Sequence, residues 1–108
     1  MPHARIYRWM IVECVEPDGN VTQHIQGYIY THGRLSRNGE HKDDPYISRD
    51  LRSHDLARGI AVNSRGKTIE LFGPRLPEGD VPFDLLQTQR RAAAAWQLPA
   101  GTTWRRIA

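Results

Sequence analysis

The chain has 108 residues, of which 39% are hydrophobic and 25% charged, and a formal net charge of +3. That length holds one domain with its own core and excludes a multidomain assembly, while the composition excludes a disordered or fibrous chain. No apolar run approaches the roughly 18 residues that span a bilayer, no apolar leader opens the chain and the lone Cys14 excludes an internal disulfide, so a cytoplasmic protein without a cofactor is expected.

Arg5 to Val15 and Val21 to Thr31 are rich in β-branched and aromatic residues, with Glu16-Pro17-Asp18-Gly19-Asn20 between them. Proline presets φ, aspartate bonds its own backbone and glycine accepts positive φ, so the two segments form a hairpin closed by the three-residue loop Pro17-Asp18-Gly19. In that register Val15 faces Val21, Ile11 faces Ile25 and Tyr7 faces Ile29, gathering the aliphatic residues on one face. The other face carries Arg8, Met10, Val12, Cys14, Thr22, His24, Gln26, Tyr28 and Tyr30, and Glu13 points away from His24.

From Gly33 to Arg58 the chain turns polar and arginine-rich, opening with the loop signals Gly33, Asn38 and Gly39. Asp44-Pro45 reads as an N-cap followed by proline at the first helical position, and Ile47 and Leu51 recur at helical spacing. A short helix is therefore predicted from Pro45 to about Arg58, ended by Gly59. Gly59 to Ser64 and Lys67 to Phe72 form a second hairpin about Arg65-Gly66, with Val62 opposite Ile69 and Ile60 opposite Leu71 on its core face. Past the turn-rich Gly73 to Gly79, Pro82 opens a helix reaching Gln97, with Asp84 in its first turn. Leu86, Ala93 and Trp96, beside Leu85, Gln89 and Ala92, form its inward stripe. Pro99 and Gly101 stop this helix, and Thr102 to Ile107 form a short last strand. The expected fold is one α+β domain over 1–108: a single antiparallel sheet of two β-hairpins plus a short C-terminal strand, packed against one main C-terminal helix, with a short helix in the central loop.

Thirteen of the fifteen basic residues are arginine, whose planar fork grips phosphate or carboxylate and stacks on rings. The leading expectation is a non-enzymatic binding or adaptor module whose partner is a protein or a nucleic acid and not a membrane. Arg34, Arg37, Arg49 and Arg52 supply its contacts to an acidic partner, and Arg8, Tyr28 and Tyr30 offer cation and stacking area on the sheet. A structural subunit of a homo-oligomer is an alternative, marked by three tryptophans and an apolar sheet face. A second alternative rests on His24-Ile25-Gln26-Gly27-Tyr28-Ile29, where two polar side chains at i and i+2 share one strand face. The text resembles the metal-binding motif of HUH-type rolling-circle replication initiators. That resemblance implies a metal-dependent enzyme nicking single-stranded DNA, with His24 and Gln26 as metal ligands, Glu13 or Glu16 as the acid and Tyr46 as the nucleophile; Arg49 stands where the family has lysine.

Overall fold

The computed structural model describes residues 3–30 and 44–108. Among them run β1 (Ala4–Val15), β2 (Val21–Ile29), β3 (Pro45–Ile47), β4 (Leu51–Asp55), β5 (Ile60–Asn63), β6 (Thr68–Phe72), α1 (Phe83–Ala95) and β7 (Thr103–Arg106). The described residues thus form a small α+β domain with one sheet and one C-terminal helix.

The sheet is mixed rather than wholly antiparallel, and β1 is the reason. Its 12 residues pair with β2 along one edge. The other edge takes two short partners: β6 runs parallel to Ala4–Tyr7, and β7 runs antiparallel to Val12–Val15. A strand this long, about 40 Å at 3.3 Å per residue, has room for both.

The strand order is β3-β2-β1-β6-β5-β4, so the two ends of the path, β3 and β4, are separated in the chain only by Ser48, Arg49 and Asp50. The sheet therefore curls until its edges meet at that corner. Ser48 N–H donates to the Ile25 carbonyl at 2.8 Å, Ser64 N–H to the Asp50 carbonyl at 2.8 Å, and Gln23 meets His54 at 3.2 Å. Inside the curl lies a core of Ile6, Trp9, Ile11, Ile25, Ala61, Ile69 and Leu71, with Tyr46 and Leu51 packed against it.

The helix expected from Pro45 to Arg58 is instead β3 and β4. Pro45 opens a short edge strand, where a missing N–H costs no ladder bond. Gly59, at φ 65°, closes a tight turn after Asp55 rather than a helix, with Gly59 N–H on the Leu56 carbonyl at 3.2 Å. Sheet pairing prevails because an isolated helix of that length is marginal, whereas the strands bury Tyr46 and Leu51 on the core.

The two hairpins expected from the sequence, β1–β2 and β5–β6, close with three-residue loops ending in a left-handed glycine, and β4, expected as helix, adds a further antiparallel pairing with β5. In the first, Gly19 has φ 92°, Glu16 N–H donates to the Asn20 carbonyl and Asp18 Oδ1 accepts the Asn20 N–H, each at 2.9 Å. Val15–Val21 and Ile11–Ile25 pair as expected, but a bulge between Tyr7 and Met10 shifts the rest, so Ile6 meets Ile29 and Tyr7 meets Tyr28. Ile6 and Ile11 both lie in the core, and strand alternation cannot place residues five apart on one face without an inserted residue. In the second hairpin Ala61 pairs with Ile69, Val62 with Thr68 and Ile60 with Glu70, one residue away from the expected register. Asn63 is the cause: its buried Oδ1 accepts the N–H groups of Arg65 at 3.0 Å and Lys67 at 2.9 Å, enlarging the loop to Ser64–Gly66.

On the outer face of the sheet α1 covers Met10 and Val12, which form a second core with Leu76 and Leu85. Its buried stripe is Leu85, Thr88 and Ala92, while Leu86, expected inward, is 40% exposed. The stripe turned because the strand beneath offers a polar side chain, Gln26, to be satisfied. Among the described residues no helix is long and apolar enough to cross a membrane.

Candidate binding surface on the outer sheet face

The polar pair on β2 is used in joining helix to sheet. Gln26 is fully buried; its Nε2 donates to the Leu85 carbonyl at 2.9 Å and to Thr88 Oγ1 at 2.6 Å, and its Oε1 accepts from Gln89 Nε2 at 2.7 Å. His24 Nδ1 lies 2.9 Å from the Ser48 carbonyl, which can only accept, so Nδ1 carries the proton and Nε2 accepts from the Thr22 hydroxyl at 2.7 Å. The His24 ring stacks on Trp96 at 5.0 Å and tilts against Trp104 at 5.6 Å. Burial pushes its pKa down, against the opposing pull of the Ser48 carbonyl and Asp50.

The residues expected of a nicking site are divided by the sheet. His24 and Gln26 lie beneath α1, whereas Tyr46 pairs with Gly27 and packs on the interior core, where burial pushes its phenol pKa up. Glu13 lies on the face opposite His24, bound to Arg105 through contacts of 2.6 and 2.7 Å that hold its carboxyl below the usual range. Among the described residues no three His, Cys, Asp or Glu side chains gather as metal ligands.

A different constellation emerges beyond the start of α1. Tyr28 marks the boundary, its hydroxyl donating to Asp84 Oδ1 at 2.8 Å; burial, and then that carboxylate, push its phenol up to about 12. From Tyr28 a row of rings continues across β1 to β6. Tyr7 lies 5.9 Å from Tyr28 and 5.7 Å from Phe72, and Tyr30 meets Phe72 edge-on at 5.6 Å. Guanidinium groups lie against these rings. Arg8 is 5.7 Å from the Tyr28 centroid, and Arg5 is 5.5 Å from Tyr30 and 5.3 Å from Phe72, within cation–π range. Glu70 pairs with Arg5 at 3.3 Å, but the buried Arg5 Nε has no hydrogen-bond partner among the described residues.

Of the seven binding residues expected from the sequence, Arg8, Tyr28 and Tyr30 meet on this surface. Arg49 and Arg52 do not: Arg49 sits at the β3–β4 corner and Arg52 on β4, where it donates to the Ser64 carbonyl at 3.1 Å. The corner bonds to Ile25, in the middle of β2 and three residues before Tyr28. Arg34 and Arg37 lie outside the described residues. Sequence reasoning missed Tyr7, Phe72 and Arg5. The signal for Tyr7 was present in the spacing of Ile6 and Ile11, which demands the bulge that turns Tyr7 outward; Phe72 arrives only through the parallel pairing of β6 with β1. Comparison with protein-family models, with curated proteins and with solved structures finds no match to this chain.

Proposed function

We propose that this protein is a non-enzymatic binding module that receives single-stranded nucleic acid on the outer sheet face. The observation that carries this reading is the continuous row Tyr28, Tyr7, Phe72 and Tyr30 with Arg5 and Arg8 against its rings. Aromatic side chains on a rigid sheet stack unpaired bases of any identity, at about 1–3 kcal/mol per base, and guanidinium groups beside them reach the phosphates. The net charge of +3 has the sign such a partner needs. Arg34 and Arg37, which follow Tyr30 in the chain, supply further phosphate contacts in this reading.

The test is fluorescence anisotropy with a labelled oligothymidylate of about a dozen nucleotides, a length within the usual site sizes of single-strand binders. Affinity should fall steeply with added salt, weaken on Arg8→Ala and on Tyr30→Ala, and lose part of its salt slope when Arg34 or Arg37 becomes Gln. Absence of binding at low salt, or binding indifferent to salt, overturns the proposal.

A further inference from the structure

We propose that the groove between α1 and β3 is a second, independent site, for a small ligand that joins a flat aromatic ring to an anionic group, as a nucleoside monophosphate does. The groove is shallow and open to solvent, with a volume of about 450 Å³, in the size range of roughly 300–1,000 Å³ found for small-molecule sites. Its walls bring together His3, Arg49 at the β3–β4 corner, and Arg91, Ala92 and Trp96 of the helical side. Arg49 and Arg91 are both exposed, and unlike Arg5 and Arg105 neither is held in an ion pair among the described residues. Among the described residues no carboxylate lines the groove. Two guanidinium groups outside any ion pair among the described residues therefore share one concavity, Arg91 away from the carboxylates of Glu16 and Asp50 that border Arg49 on its other side, an arrangement that recognises phosphate or carboxylate.

The flat part of the ligand follows from Trp96. Its indole stacks on His24, is half-buried, and borders both this groove and an adjoining cavity of about 260 Å³. A tryptophan held in place by a neighbour offers stacking area at little entropic cost. The adjoining cavity contains the carboxylates of Glu16 and Asp50, so it repels an anion. Arg49 lines both spaces, and the charge distribution directs the anionic group to the side where Arg91 stands.

Tryptophan fluorescence titrated with adenosine monophosphate, adenosine and inorganic phosphate tests the assignment on the full chain. The monophosphate should change the emission saturably, with a dissociation constant of about 1 mM or tighter, and each half of the molecule alone should bind at least about tenfold more weakly. Arg49→Gln and Arg91→Gln, both at exposed positions, should each weaken the monophosphate about tenfold with unchanged circular dichroism. Arg8→Ala should leave it unaffected, which separates this site from the sheet surface. No saturable change with the monophosphate overturns the proposal, as does equal binding of phosphate alone, which would show charge without a ring site. A loss shared with Arg8→Ala overturns it too, because the ligand would then occupy the sheet face.

Discussion

At the scale of single residues, the polar side chains beneath α1 are the ones with most to lose. His24 is a neutral imidazole with both nitrogens engaged and two tryptophan rings against it. Protonation places a proton on Nε2, which must then give up the Thr22 hydroxyl as a donor and carry charge into a buried site. The folded-state pKa is therefore below that of the unfolded chain, 6.5. Below that value the unfolded chain binds the proton more readily than the folded one, so stability is complete above about pH 6.5 and falls as the pH drops toward the folded-state pKa. Urea denaturation between pH 7.5 and about 5 should show this loss, and His24→Phe should flatten that part of the profile. An unaltered profile in the variant would assign the acid sensitivity to other groups. Cys14 is the contrasting case: buried, with its thiol pKa pushed up by desolvation, it packs as a small apolar residue and lacks the electropositive setting of a reactive thiol.

At the scale of elements, the bulge in β1 decides which side chains reach the outer surface. Arg8 takes φ 46° there, a conformation costly for most side chains but tolerated by asparagine. Gly27 lies across from the bulge, and a Cβ at that position would come within 2.6 Å of Ile6 and 2.8 Å of the Tyr7 carbonyl, so the kink and the glycine belong together. Arg8→Asn should keep the fold, with stability within about 1 kcal/mol, while oligonucleotide affinity falls; Arg8→Val should cost roughly 1–2 kcal/mol because a β-branched residue resists that backbone. Denaturant midpoints measured beside anisotropy separate the two effects. The elements also show what could be read from the chain. The loop Pro17-Asp18-Gly19 was legible because its backbone demands are local, and so were α1 and the last strand, whose boundaries are marked by Pro82, Pro99 and Gly101. The segment from Pro45 to Asp55 misled because its capping signals are local whereas the partner of β3, β2, lies far back in the chain; β4 pairs with β5 just after it, across the turn from Leu56 to Gly59, but its polar sequence carries no alternating apolar pattern to signal a strand. The Asn63 loop shows the same thing on a smaller scale: one side-chain oxygen shifted a register that the apolar pattern alone placed one residue away. Of the proposed binding surface, Tyr28 and Tyr30 were legible from alternation on β2, whereas Arg8 reaches it through the bulge and the rings that join them were not legible.

At the scale of the whole molecule, the two proposed sites depend on how the curled sheet is closed. Ser48 is the clasp. Its N–H donates to the Ile25 carbonyl at 2.8 Å, its Oγ accepts the Ile25 N–H at 2.8 Å and donates to the Arg49 carbonyl at 2.7 Å, and its carbonyl receives His24 Nδ1 at 2.9 Å. A fully buried serine thus ties the β3–β4 corner to the middle of β2 and fixes the imidazole on which Trp96 stacks. Replacing it by alanine leaves the buried Ile25 N–H without its acceptor, at a cost of about 1–3 kcal/mol, without removing any apolar contact. The loss should be local before it is global. Native-state hydrogen exchange of Ser48→Ala should show faster exchange at Ile25, Ser48 and Ser64, where the two edges of the sheet meet, while the β1–β6 pairing on the far side retains its protection. Because Arg49 adjoins this corner and Tyr28 lies three residues beyond Ile25 on β2, the same variant should weaken the monophosphate at the α1 groove more than the oligonucleotide at the sheet face. Uniform acceleration of exchange across all strands would mean instead that the sheet opens as one unit, and that the closure is a consequence of the shared core of Ile6, Ile11, Ile25 and Ile69 rather than of the Ser48 clasp.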